Sequence, residues 1–77
     1  MKQLMNWTKA RIKKLNAFYK LQGEYGTVSM SQLAEELGKT VASAHDFRLY
    51  CLKNGIIQKA VAGRYEITEF GKSLLEN

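Results

Sequence analysis

The sequence predicts an α+β fold, mainly helical, in which three helices are followed by a two-stranded hairpin and a last short helix. Three observations predict it. A double start signal at Ser29 opens a short amphipathic segment that Gly38 closes. A second helical segment runs from Thr40 to an Asn54-Gly55 stop. Two short apolar stretches then flank a Gly-containing loop, as hairpin strands do.

The first segment, from about Leu4 to Gln22, holds no Gly or Pro and reads as a helix. At about 100° per residue, Met5, Ile12, Leu15 and Tyr19 share one face, the expected core face. Opposite them Lys2, Lys9, Lys13 and Lys20 fall almost in line, and Trp7, Lys14, Phe18 and Leu21 form a third strip. That strip is too apolar to be left in water. Either it packs under the C-terminal helix or it is the seam of a homodimer; a core this small covers little surface, which favours a seam of Trp7, Phe18, Leu21 and Leu74. Residues 23–27 form the turn out of the helix, and Thr27 and Val28 give a short strand.

Ser29 and Gln32 have the spacing of a capping box, and Val28 and Leu33 that of a hydrophobic staple. Leu33, Ala34 and Leu37 then make one apolar face, with Glu35 and Glu36 toward water. In the next helix, Thr40 to about Lys53, the wheel sets Val41, Ala44, Arg48, Cys51 and Leu52 on one side with Phe47 at its edge. Ala42, Ser43, Asp46 and Tyr50 lie on the other. Arg48 among apolar neighbours must snorkel, pair with Glu35 or Glu36, or lie on a helix rotated from this register.

Ile56 to Ala60 and Arg64 to Thr68 are the expected strands. A three-residue loop, Val61, Ala62 and Gly63, pairs Ile57 with Ile67 on one face and leaves Arg64 at the tip with Lys59 nearby. Thr68 caps a last helix, Glu69 to about Leu75, in which Gly71 permits close packing.

Composition excludes several classes. The chain has 77 residues, 45% of them hydrophobic and 25% charged, as one globular domain would have, and too few for a separate ligand-binding domain. No apolar run approaches the ~20 residues of a membrane span, and no secretory signal opens the chain, so a cytoplasmic location is expected. A single cysteine, Cys51, excludes an internal disulfide and a thiolate-rich metal site. The lone His45 has no second imidazole and reads as a surface or packing residue. His45, Asp46 and Cys51 lie too close along one helix to converge on a substrate, so neither an enzyme nor a cofactor is expected.

Charge says more than the net +5. Residues 1–23 carry Lys2, Lys9, Arg11, Lys13, Lys14 and Lys20 and no acid, whereas the remainder is nearly balanced. Such a bias favours a polyanionic partner, most simply nucleic acid.

The order QLAEELG, then KNGII, then a strand pair and ITEFGKSLL resembles the winged helix-turn-helix DNA-binding domains of small bacterial, archaeal and viral transcriptional regulators, whose ending is often LTxxGxxLL. The resemblance covers residues 12–75. It implies one domain over residues 1–77: a three-helix core with the helix-turn-helix at 29–54, a short strand, a wing at 56–68 and a C-terminal helix. It further implies sequence-specific binding to double-stranded DNA, and repression by occlusion as a homodimer.

Carried over by position, Thr40 meets a phosphate, Ala42 and Ser43 meet base edges, and Asp46 and Tyr50 stand one turn further along. Ser31 and Lys39 lie near the two helix starts, Lys59 and Arg64 on the wing, and Lys9 and Lys13 on the first helix as phosphate contacts. Two positions depart from the pattern: Arg48 stands where such domains usually have Leu, and Asp46 where they are often basic. Two alternatives remain open, a DNA-organising or replication-associated protein with little sequence preference, and a winged domain used as a protein-interaction adaptor.

Overall fold

The computed structural model describes residues 6–75. Lys2, Met5 and the expected helix start at Leu4 lie outside the described residues. The elements are α1 Lys9–Tyr25, α2 Met30–Leu37, α3 Val41–Lys53, β1 Ile57–Val61, β2 Arg64–Ile67 and α4 Glu69–Ser73. The fold is therefore α+β and mainly helical, in an order compatible with a winged helix. None of its helices is long and apolar enough to cross a membrane, among the described residues.

Helix α1 starts later and ends later than its sequence suggests. Thr8 caps it, its hydroxyl accepting from the Arg11 N–H at 3.3 Å. Asn6 just before has φ 60°, a left-handed backbone that a helix running on from Leu4 does not allow. At the other end the helix absorbs Gly23 and stops at Gly26, where φ is 82°. An internal glycine costs about 1 kcal/mol. The tertiary structure offsets this, because the Gln22 side chain accepts from the Ile67 N–H at 2.6 Å and ties the last turn to β2.

The buried side of α1 is Leu15, Phe18 and Leu21; of the expected stripe Leu15 is buried, Ile12 is half-buried and Tyr19 is turned outward. Tyr19 is 47% exposed. Because α1 packs against both α2 and the hairpin, it turns its bulkiest apolar groups inward, where burial stabilises most. Two of the four residues of the expected dimer seam are thereby placed in the core. Phe18 and Leu21 are 0% and 5% exposed within one chain, and Trp7 and Leu74 are half-buried against the same core.

Helix α2 begins as expected. The Ser29 hydroxyl accepts from the Gln32 N–H at 3.2 Å, and the Gln32 side chain accepts from the Ser29 N–H at 3.0 Å. Val28 and Leu33, the staple pair, are both fully buried. Helix α3 is capped by Thr40, which accepts from the Ser43 N–H at 3.1 Å, and it buries Ala44, Phe47 and Cys51.

The hairpin pairs Ile57 with Ile67 as expected, both in the core. Its loop is tighter than expected: Val61 pairs with Arg64 across Ala62 and Gly63, and a bulge between Lys59 and Val61 takes up the extra residue. Val28 adds an antiparallel bridge to Tyr65, with reciprocal backbone hydrogen bonds of 2.8 Å.

Thr68 closes the hairpin and opens α4, its hydroxyl donating to the Gly55 carbonyl at 2.6 Å and accepting from the Gly71 N–H at 3.0 Å. Gly71 is buried where a Cβ would run into the Ile56 carbonyl oxygen and come within 2.7 Å of Ile67 Cγ1. Gly23, by contrast, has nothing within 4 Å of an added Cβ and sits inside a helix. Gly71→Ala is therefore expected to lower the unfolding free energy by about 2 kcal/mol, and Gly23→Ala to raise it by about 0.5–1 kcal/mol. Urea denaturation of the two variants checks both signs.

Candidate nucleic-acid interface

With Ala44, Phe47 and Cys51 facing inward, the exposed residues of α3 are Val41, Ala42, His45, Asp46, Leu49 and Lys53. Leu49 is 56% exposed, a large apolar group held in water. The outward strip is thus centred on Ala42, His45, Asp46 and Leu49. At about 100° per residue, the helix is turned by roughly 60° from the register read in the sequence, which centred on Ala42, Ser43, Asp46 and Tyr50.

Two expected members leave the strip. Ser43 is half-buried on the flank. Tyr50 turns toward α1, its ring parallel to that of Trp7 (6.4 Å between centroids, 9° between planes) and covered by the Arg11 guanidinium at 4.2 Å. It therefore fastens the start of α1 to α3. Two others join: His45, read in the sequence as a surface or packing residue, and Leu49. Phe47 is the signal that finds them, because bringing the largest apolar side chain of the helix from the edge into the core arc with Ala44 and Cys51 gives the observed rotation.

The same rotation accounts for Arg48. It lies on the other flank, pairs with neither Glu35 nor Glu36, and donates from Nη1 to the Tyr65 hydroxyl and from Nε to His45 Nδ1, both at 3.1 Å. Glu36 instead accepts from Lys20 at 3.1 Å. That hydrogen bond, with the charges of Glu36 and Glu24, holds the Lys20 ammonium above its ordinary pKa although solvent reaches it freely. Lys20 accordingly stands in a solvent-exposed ion pair with Glu36.

Arg64 was expected at the tip of the hairpin and is instead turned inward. Its Nε donates to the Thr27 hydroxyl at 2.7 Å, and its Nη2 donates to the Thr27 carbonyl at 2.7 Å and to Gln32 Oε1 at 2.8 Å. A half-buried guanidinium with three short bonds to neutral acceptors is a clamp between β2 and the start of α2. The tip itself, Val61, Ala62 and Gly63, is exposed and uncharged. Lys59 is the exposed cation of the hairpin.

The remaining expected contacts are exposed but lie on different sides. Lys39 and Thr40 precede α3 and lead into its outward strip, and Ser31 is exposed in the first turn of α2. Lys9 and Lys13 are exposed on α1. The α1 side chains that reach α3 are Arg11, over Tyr50, and Lys14, whose Nζ is 5.9 Å from the centre of the Phe47 ring. On the helical wheel the Lys9 and Lys13 line falls opposite these. The structure therefore joins Lys39, Thr40, Ala42 and Asp46 with His45, Leu49 and Lys53, and leaves Lys9 and Lys13 on a separate side.

Cys51 belongs to the core. Burial pushes its thiol up from an ordinary 9.0 to about 12, with Arg11 and Lys14 pulling weakly the other way. Among the described residues no cluster of His, Cys, Asp and Glu has the makings of a metal site.

Two outcomes are expected. Arg64→Ala lowers the unfolding free energy by about 2 kcal/mol, because Thr27 and Gln32 lose a shared donor, whereas Lys59→Ala changes it by less than about 0.5 kcal/mol; thermal melts of the two variants decide. Cys51 contributes stability that is complete below its unfolded-state pKa of 9.0 and is lost as pH rises toward about 12. Cys51→Ala should therefore lose less stability than wild type when pH is raised through that window, as denaturation midpoints at several alkaline pH values will report. No protein-family model matches the chain, and no curated protein matches it.

Proposed function

We propose that this chain is a winged helix-turn-helix protein that binds duplex DNA in a sequence-dependent way, with α3 in the major groove, and that it represses transcription by occupying its site. The observation that carries the reading is the outward strip of α3. It is a continuous line of exposed side chains, Ala42, His45, Asp46 and Leu49, on a helix whose opposite side is locked into the core. Lysines stand at both ends of that strip, Lys39 before it and Lys53 at its close, in the places where phosphates flank a groove. The uneven charge of the chain, basic through its first 23 residues, supports a polyanion as partner.

The protein acts as a homodimer in this reading. Tyr19 and Tyr25 on α1 and Phe70 on α4 are the exposed aromatic groups of the first and last helices, and of these Tyr19 and Phe70 take the place of the buried Phe18 and Leu21 as contacts between copies. A two-fold axis sets the two α3 helices about one helical turn of DNA apart.

A second reading, DNA organisation without sequence preference, is favoured by Lys9 and Lys13, exposed on the side of α1 away from α3. Fluorescence anisotropy with labelled duplex over a salt series tests the first reading and separates it from the second. Binding at micromolar protein and low salt is expected, weakening with a slope of about 0.9 per neutralised phosphate. No binding to any duplex at low salt rejects both readings. Loss of slope in the Lys9→Ala, Lys13→Ala double variant, with no effect of Asp46→Ala on sequence preference, favours the second.

A further inference from the structure

A hydrogen-bonded series runs from the inner side of the hairpin to the outer side of α3. It begins at Tyr65, a buried residue of β2 whose backbone is fixed by its bridge to Val28. The Tyr65 hydroxyl accepts from Arg48 Nη1 at 3.1 Å, and the guanidinium carbon lies 5.6 Å from the centre of the same ring. Arg48 Nε then donates to His45 Nδ1 at 3.1 Å. Apart from the imidazole, the guanidinium is held at Nη1 by the Tyr65 hydroxyl and lies over the Tyr65 ring, so its third contact, from Nε to the imidazole, is aimed as well.

The chemistry of the last bond fixes more than direction. An imidazole nitrogen that accepts a hydrogen bond carries no proton, so the neutral ring has its proton on Nε2. His45 thereby presents one donor of defined position on the exposed side of α3.

The neighbours make that donor singular. Ala42 and Leu49 have no polar atoms, and ionised Asp46 only accepts. No lysine or arginine lies on the strip between Lys39 and Lys53, since Arg48 is turned to the flank. Any acceptor on a base edge opposite the middle of this strip has His45 as its side-chain donor.

We infer that His45 is a specificity-determining residue that reads a guanine in duplex DNA by donating Nε2–H to N7 or O6, and that Arg48 is its positioning residue. This rests on the reading of α3 as the groove-contacting helix. Guanine is the base that fits, because its major-groove edge shows two adjacent acceptors. Adenine sets its N6 amino donor beside N7, cytosine offers an N4 donor, and thymine covers its one acceptor with a methyl neighbour. Asp46, next in sequence, supplies the complementary acceptor for a cytosine N4.

Two measurements on the full chain test this. Because His45 is the sole histidine, a long-range proton–nitrogen NMR spectrum of the free protein at about pH 8, above the ordinary range of imidazole titration, reports its tautomer without ambiguity. Wild type should show the Nε2–H form and Arg48→Met a mixture with Nδ1–H. A wild-type Nδ1–H tautomer overturns the inference whether or not any variant folds.

The second measurement selects duplexes from a random library with wild type, His45→Phe and Arg48→Met. The wild-type motif should contain a guanine whose preference falls about tenfold in His45→Phe and also falls in Arg48→Met, with the salt slope unchanged. A merely structural role for His45 would move stability and leave that one position of the motif alone. A motif unchanged in His45→Phe, or duplex binding with no motif at all, overturns the inference and leaves duplex binding standing. Failure of wild type to bind any duplex at low salt overturns the proposed function together with it.

Discussion

Two neighbouring side chains on β2, Arg64 and Tyr65, hold the hairpin, the start of α2 and α3 in one frame. The Tyr65 backbone pairs with Val28 through two hydrogen bonds of 2.8 Å, its ring lies in the core and its hydroxyl accepts from Arg48 on α3. Arg64 reaches the other way, to Thr27 and to the same Gln32 side chain that completes the α2 capping box. A guanidinium supplies five donors in a rigid fork, and here three of its bonds are made to a single corner of the fold. In a domain of this size the core alone is marginal. Directional polar contacts at its edge therefore carry unusual weight in fixing how α3 is presented.

That presentation decides the character of the candidate interface. At its centre the outward strip of α3 carries two apolar side chains, one imidazole and one carboxylate, with lysines only at its ends. Such a surface makes few phosphate contacts from the helix itself, so affinity must come from the rim, while discrimination falls to a few groups of defined geometry. The hairpin contributes little charge. Its tip is Val61, Ala62 and Gly63, and one of its two cations is occupied in the clamp. The lysine line on α1 stands apart from both, so the basic excess of the chain is spread over more than one side.

The fastening of α1 follows the same pattern of a polar head serving an apolar body. Arg11 covers the Tyr50 ring, Trp7 lies parallel to that ring, and Lys14 approaches Phe47. Long cationic side chains lay their stems along apolar surface and keep their heads near solvent. Basic residues that sequence counting assigns to a polyanion surface are thus partly structural, and the same holds for Lys20 in its pair with Glu36.

The sequence by itself determined the features that depend on a few adjacent residues. The Ser29–Gln32 box, the Thr40 and Thr68 caps, the left-handed glycines at 38, 55 and 63, and the Ile57–Ile67 register follow from local hydrogen bonding and backbone sterics. Only the tertiary structure decided how the helices are turned about their axes. On α1 and α3 apolar residues cover more than one strip, so periodicity permits several registers, and the choice falls to whichever turns the bulkiest groups, Phe18 and Phe47, into the common core. The long polar side chains were equally undetermined. Arg48, Arg64 and Tyr50 reach partners 17, 37 and 43 residues away along the chain, and which partner each meets is set by the packing of elements that sequence spacing does not relate.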